Sequence, residues 1–331
     1  MSCGDKLRVA VIADELTRAC LAHECRLRDV TSLNYRWLLR FWRPDMLFVE
    51  SAWQGHRGAW KFGVAAYPDH PRRNNRRLAK VVAYARELGI PTVFWNKEDG
   101  VHFERFIDSA RLFEHVFTVD SLCVPRYRAV LDAGVSVTPL PFAAQPASHY
   151  FDGFHFTQYR ANFVGSYSHH IHDRRRAWQD MLFGAADGLG VTVFDRNSGR
   201  KSAIYRYPDS PNLAVRAAVP HGATAAVYRD YLVSLNVNTV EDSPTMFSRR
   251  LVEILACGGI AVTTPALSVE RLFAECCYVV HEEGQARELF ERLRYGPSDD
   301  DLARARAGAE LILREHTWAQ RWAAVREVVG V

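Results

Sequence analysis

The sequence predicts an α/β protein with two Rossmann-like, doubly wound domains in tandem, residues 1–150 and 151–331, facing a common cleft. Three observations predict it. The chain has 331 residues, long for one simple core and suited to two. Short apolar runs recur, each followed by a polar loop and then by helical periodicity, as parallel strands buried on both faces require. Prolines at 139, 141 and 146 interrupt this alternation once, in a junction running to about Tyr159.

Each element follows from its residues. Leu7–Ala13 reads as a first buried strand ending at Asp14. Asn34–Trp42 reads as a helix stopped by Pro44-Asp45. Met46–Glu50 is a strand that delivers Glu50, Ser51 and Trp53 to its end. Asn74–Leu88 is a basic amphipathic helix closed by Gly89. Pro91–Trp95 runs into Asn96, Lys97, Glu98, Asp99 and His102, polar residues that packing does not need. Val116–Val119, a helix over Val124–Asp132 and Val135–Leu140 complete the first domain. Arg160–Val164 restarts the pattern and meets Gly165-Ser166, then a basic helix from Asp173. Val191–Phe194 closes at Asp195-Arg196, and Ala223–Asp230 is a short helix. Tyr278–Val280 is a late strand. The tail from Ser298 is helical, with a break near His316-Thr317-Trp318.

Asn236–Thr264, entered from the apolar run Tyr231–Val237, is the stretch the rest of the chain is organised around. An apolar run leads through a polar loop into a helix opening near Ser243 or Pro244, with Leu251, Ile254 and Leu255 on its apolar face. Gly258-Gly259 stops it, and Ile260–Thr264 follows as a strand. A helix N-terminus gathers unpaired N–H groups and the positive end of the dipole. With Ser243, Thr245 and Ser248 beside Arg249 and Arg250, this place suits a diphosphate. The plainer reading is a buried helix with its arginines in solvent.

Composition narrows the classes. Hydrophobic residues at 48% and charged residues at 24% are ordinary for a soluble globular chain. A net charge of +4 permits anionic substrates or an acidic membrane surface, and no nucleic-acid partner is expected. Eight Trp, thirteen Tyr and eighteen Phe suit stacking on a sugar or base, and equally a core. Seven Cys, among them Cys3 and the adjacent Cys276 and Cys277, have no metal spacing and read as reduced thiols. The opening MSCGDKLRVAVIAD enters a strand with no signal-peptide pattern, and no run reaches membrane-span length, so a cytoplasmic protein is expected. His169, His170 and His172 match no ligand pattern, and no metal is expected. The run Arg72, Arg73, Arg76, Arg77 is an exposed helix face, or a peripheral contact with anionic lipid or an acidic polymer at the inner face of the membrane.

The runs LVSLNVNTVEDSPTMFSRRLVEILACGGIAVTT, HTWAQRW and ANFVGSY resemble the C-terminal domain of GT-B glycosyltransferases. VESAWQGHRGAW, TVFWNKEDGVHFERF and PLPFAAQP resemble the N-terminal half of the same group, nearest to the bacterial CgeB-like glycosyltransferases within the family 1/family 4 clan. The resemblance implies a metal-independent enzyme with no cofactor. Its substrate is a UDP-, GDP- or TDP-linked sugar, moved to a glycan, lipid-linked or protein acceptor in bacterial surface polysaccharide or glycoconjugate synthesis. It also implies C-terminal helices packed back on the N-terminal domain.

The same resemblance implies residue roles. Gly165 and Ser166 admit the phosphates, and Arg174 adds charge there. A helix from around Thr245, with Met246, Phe247 and Ser248, offers amides to the diphosphate. Arg249 or Arg250 neutralises the leaving group. Glu253 matches the second glutamate of the paired-glutamate motif and binds ribose hydroxyls. Thr245 stands where the first glutamate falls. Asp195 and Arg196 touch the base or only close a turn.

An inverting reaction needs a base in the first domain. Asp14, Glu50, Glu98, Asp99 and His102 are candidates. Glu98 and Asp99 are preferred, since adjacent carboxylates beside Lys97 and His102 can have their pKa values pushed apart. The plainer reading makes Lys97-Glu98 a solvated pair and His102 a cap. Trp95 reads as core and Trp53 as part of the site. The alternatives are a non-catalytic binding or assembly protein of the same fold, in a spore coat or capsule complex, and a nucleotide-sugar epimerase.

Overall fold

The computed structural model describes residues 6–331. Cys3 lies outside the described residues; the six other cysteines are buried and form no disulfide among the described residues. The chain divides into two compact units. The first runs to Pro141 and also takes in Ser243–Met246 and Trp318–Val331; the second holds Phe142–Asp242 and Phe247–Thr317. The sequence reading put the boundary at 150.

In the first unit the strands are β1 (Arg8–Ile12), β2 (Arg26–Asp29), β3 (Met46–Glu50), β4 (Thr92–Asn96), β5 (His115–Thr118) and β6 (Ser136–Pro139). They form one parallel sheet in the order β2-β1-β3-β4-β5-β6. The helices between its strands are α1 (Glu15–Glu24), α2 (Tyr35–Trp37, continued by a π-helical turn over Leu38–Trp42), α3 (Arg76–Glu87), α4 (Phe103–Ala110) and α5 (Cys123–Arg128). Every residue of β3 and β4 is buried, as their unbroken apolar runs require. Edge strand β2, with sequence RLRD, is half-exposed and carries no apolar run. Strand order reverses between β1 and β3, so the loops after those two strands flank the ligand-binding crevice of such a sheet.

The second unit repeats the design. Its strands are β7 (Gln158–Gly165), β8 (Val191–Asp195), β9 (Leu213–Ala217), β10 (Tyr231–Asn236), β11 (Ile260–Thr263) and β12 (Tyr278–Val279). They run parallel in the order β12-β11-β10-β7-β8-β9. The helices are α6 (Asp173–Ala185), α7 (Thr224–Asp230), α8 (Arg249–Ala256), α9 (Leu267–Leu272), α10 (Glu283–Leu293) and α11 (Asp299–Glu315). Here the order reverses between β7 and β10.

Helix α8 begins at Arg249 with Ser248 as its N-cap residue, later than the expected start near Ser243 or Pro244. Ser243 is the cause. Its Oγ accepts from the amides of Thr245 (3.3 Å) and Met246 (3.0 Å) and donates to Asp120 Oδ1 at 2.6 Å. Such local bonds compete with a helical turn. At the other end Gly258 has φ +69°, and a Cβ there would lie 2.3 Å from the Phe151 ring, so only glycine fits.

The last helix, α12 (Trp318–Val329), belongs to the first unit. The Trp318 ring sits 5.4 Å from Trp95, edge to face, and Trp322 sits 6.2 Å from Phe48. Of the C-terminal helices expected to pack on the first domain, α12 does so, while α11 stays with the second unit.

Candidate functional site

The second unit places a guanidinium across its switch point. Arg250 Nε donates to Val164 O on β7 at 2.7 Å, and Nη1 lies 3.4 Å from Asn236 Oδ1 at the end of β10. Its plane rests 4.5 Å over the Phe163 ring. Burial pushes its pKa down to about 10, Tyr228 works against that, and the charges of Arg175 and Arg196 add to it. Gly165 lies directly over this group. A Cβ there would stand 2.3 Å from the Phe163 ring and 3.2 Å from Arg250 Nη2, so glycine keeps the backbone open to close approach.

One turn into α8, Glu253 is buried, and its Oε1 lies 2.8 Å from His221 Nε2. Burial opposes its charge, but the His221 hydrogen bond, His149 and Arg249 outweigh it and hold the carboxyl below its usual range. His149 packs 4.9 Å from the His221 ring and bonds Thr224 Oγ1 through Nε2, while its buried Nδ1 has no partner. Burial pushes the His149 pKa down to about 4. Among the described residues His149, His221 and Glu253 form one group able to hold a metal ion, with ligand atoms within 4.8 Å of one another. Sequence reading found Glu253 but neither histidine. The signal was the polar residue in VPHG after β9, a half-exposed strand that its apolar content does not reveal.

Other expected donor residues lie elsewhere. Thr245 and Met246 group with the first unit, and their amides are already bonded to Ser243. The Thr245 hydroxyl donates to Val119 O and accepts from Ser121 N. Phe247 is buried against Phe273 and His316, so it offers a ligand no surface. The Ser248 amide faces Asn238 Oδ1 at 3.4 Å. Arg249 lies 4.9 Å over the Phe142 ring. Arg174 is exposed and neutralised by Glu241 through two bonds of 2.6 and 2.5 Å. Asp195 is buried and caps its own turn through Asn197 N, and the Arg196 amide bonds Gly165 O. Ser166 O accepts from Gln179 Nε2. His169 and His170 bond Arg206 O and Ser168 Oγ.

The first unit builds a polar cluster at its own switch point. Lys97 Nζ lies 2.8 Å from Glu50 Oε1, 3.1 Å from Asp14 Oδ2 and 4.0 Å from Glu98 Oε1. Asp14 accepts from the amides of Trp53, Gln54 and Gly55. Burial works against its charge, but Lys97 and those amides prevail and lower its pKa. Glu50 Oε2 is buried and accepts no hydrogen bond. Glu98 is pushed up, chiefly by burial; Lys97 and the Trp53 indole oppose the shift, and Glu50 and Asp14 reinforce it. Lys97-Glu98 is therefore no solvated pair.

Asp99 has no access to a ligand. It is fully buried, accepting from Asn96 Nδ2 at 2.6 Å and from the Tyr127 hydroxyl at 2.8 Å. Burial raises it to about 7, so the adjacent carboxylates shift the same way rather than apart. Half-buried His102 packs edge-on to Trp53 at 5.4 Å, and burial lowers its pKa. Trp53 also meets Phe106 at 5.1 Å, and Trp95 is core. The arginine run is not one helix face. Arg72 and Arg73 precede α3, and Arg73 and Arg77 sit 4.1 and 5.9 Å over the rings of Phe62 and Trp60. No helix among the described residues is long and apolar enough to cross a membrane.

Three solved structures are similar to the whole chain. One is an α-glucosyltransferase in complex with UDP-glucose and DNA containing an abasic site. It shows 8% identity and a TM-score of 0.67, over 99% of this chain and 100% of that one. The Anabaena protein Alr3699/HepE, in complex with UDP and glucose, shows 11% identity and a TM-score of 0.59, over 98% and 91%. A UDP-forming α,α-trehalose-phosphate synthase from Burkholderia xenovorans shows 14% and 0.54, over 91% and 78%. The fold is that of the GT-B glycosyltransferases. Within this GT-B chain, residues 169–327 match the family model described as glycosyl transferase-like. No curated protein matches the chain in sequence.

Proposed function

We propose that the chain is a glycosyltransferase that moves a sugar from a nucleotide-diphosphate sugar to an acceptor hydroxyl. The second unit is the donor domain and the first the acceptor domain. The observation that carries this reading is Arg250, a half-buried guanidinium spanning β7 and β10 beneath an obligatory glycine. A cation fixed at the switch point of a doubly wound sheet meets charge developing on a departing diphosphate without first reorganising. Helix α8 adds its N-terminal dipole. Glu253, held ionised by His221, accepts from the ribose hydroxyls. Arg249 stands on the same turn.

The acceptor hydroxyl loses its proton to Glu98. Its raised pKa brings it closer to working pH, where a general base is most effective. Lys97, Asp14 and Glu50 hold the loop that carries it. Transfer needs no metal in this reading, because Arg250 and the helix supply the positive charge; activity unchanged by a chelator supports that, and loss restored by added zinc refutes it. The CgeB-like resemblance extends the proposal to surface glycoconjugates as products, and exposed Arg72 and Arg76 offer anionic lipid a contact.

The test is a thermal-shift series with UDP, GDP and TDP. A ligand at a hundred times its Kd adds about 2.7 kcal/mol of stability. No stabilisation by any nucleotide or nucleotide-sugar sinks the donor-site reading.

A further inference from the structure

Three segments of the second unit meet at Glu253. His149 comes from the proline-rich junction, His221 from the turn after β9, and Glu253 from the middle of α8. Each offers one ligand atom, and the three atoms lie within 4.8 Å of one another. Holding Glu253 ionised accounts for His221 and leaves His149 without a task. Yet His149 is set up as a metal ligand. It is 1% exposed, and its Nδ1 has no hydrogen-bond partner. The bonds around it fix the tautomer. Thr224 Oγ1 donates its one proton to His221 O at 2.7 Å, so it accepts from His149 Nε2 at 2.9 Å. Burial disfavours the imidazolium, so Nδ1 carries a lone pair that no donor meets. A metal-bound imidazole characteristically gives its other N–H to a protein acceptor, which fixes the ring. The Thr224 bond does this already, and the backbone is pinned by His149 N donating to Gln145 O at 2.8 Å.

The donor set points to one kind of metal. Two imidazoles and one carboxylate suit zinc, whereas magnesium and calcium take oxygen ligands. Zinc bonds of about 2.0–2.2 Å put tetrahedral ligand atoms about 3.3–3.5 Å apart. The His221–Glu253 pair stands at 2.8 Å and has to open by about 0.5 Å, while His149 has to close by at most about 1.5 Å. Side-chain rotation covers both changes. Zinc takes the place of the proton between His221 Nε2 and Glu253 Oε1, and that proton passes to His221 Nδ1 or to solvent. The His221 side chain is 20% exposed, which leaves an entry path and room for water as a fourth ligand.

We propose that His149, His221 and Glu253 bind a zinc-like divalent cation, and that cation and nucleotide exclude each other because both require the Glu253 carboxylate. The exclusion rests on the nucleotide-sugar reading; the metal site does not. Zinc then inhibits transfer rather than supporting it.

Isothermal titration of the full chain with zinc chloride, with and without saturating UDP, tests it. Zinc binds the wild-type chain, His149→Phe weakens that binding about tenfold or more, and magnesium at the same concentration does not replace it. Saturating UDP weakens zinc binding, and zinc weakens UDP binding by the same factor. Absence of zinc binding, or equal binding by H149F, overturns the metal site. Zinc affinity unchanged by saturating UDP overturns the exclusion. Should H149F fail to fold, cobalt(II) bound to the wild-type chain gives a second readout. The intense visible absorption of a tetrahedral site supports the proposal, and the weak absorption of an octahedral one overturns it. If UDP does not bind, the proposed function falls, and the zinc comparison still decides the metal site.

Discussion

The carboxylate of Glu253 lies 2.8 Å from the His221 imidazole, bringing the middle of α8 against the short helical turn that follows β9. Such a pair acts as a unit. Replacing His221 with Ala is expected to weaken nucleotide binding about tenfold, because a buried carboxylate loses its partner and its orientation. In a double-mutant cycle with Glu253→Ala the losses should be non-additive by about 0.5–3 kcal/mol. Simple addition of the two losses, measured by titration calorimetry, shows that His221 does not position Glu253.

Arg250→Met separates binding from folding. The variant removes a half-buried cation that has no carboxylate partner among the described residues, but leaves Val164 O and Asn236 Oδ1 without this donor. Those effects oppose each other, so stability should change by no more than about 1 kcal/mol. The nucleotide-induced rise in Tm should disappear. A retained shift removes Arg250 from the donor site.

Asp99 makes stability depend on pH with a defined sign. Its folded pKa of about 7 lies above the ordinary 3.8. Between those values the native state keeps a proton that the unfolded chain has lost. The stabilisation is complete at low pH and is lost as pH rises through 7. Asp99→Asn lacks this dependence, so denaturant curves should favour the variant increasingly from pH 5 to 8, by on the order of a few kcal/mol at the top. A gap independent of pH contradicts the raised pKa.

Glu98→Gln should abolish transfer and leave nucleotide binding intact. In the wild-type chain the acid limb of the rate profile should lie above the ordinary carboxylate range, since burial raises this group. Lys97→Met removes the opposing charge and should carry that limb higher still. It also strands Glu50 and Asp14, at a stability cost of about 3–5 kcal/mol. A limb that does not move in Lys97→Met assigns it to another group.

Trp318→Ala tests the return of the chain to its first unit. The ring is 2% exposed and packs edge-on against Trp95. Losing a buried aromatic of this size costs about 3–5 kcal/mol. The loss should appear in equilibrium unfolding followed by Trp fluorescence; a cost below about 1 kcal/mol means α12 docks weakly.

Local residue pattern determined the fold class. Strands buried on both faces must be apolar throughout, so LRVAVIA, MLFVE, PTVFW and YLVSLNV declare themselves, and doubly glycine-terminated α8 ends where Gly258-Gly259 says. Edge strands such as RLRD and LAVRA escaped because solvent on one side removes that requirement. Only the tertiary structure decided where function gathers. Arg250 and Arg174 both read in sequence as charges offered to the phosphates, yet one is fixed across two strands and the other is quenched by Glu241, a residue 67 positions away. Likewise Glu98 and Asp99 are neighbours in the chain, but one meets Lys97 and the other is sealed behind Tyr127. Charge, burial and partner are set by contacts between distant segments, and one-dimensional spacing does not carry them.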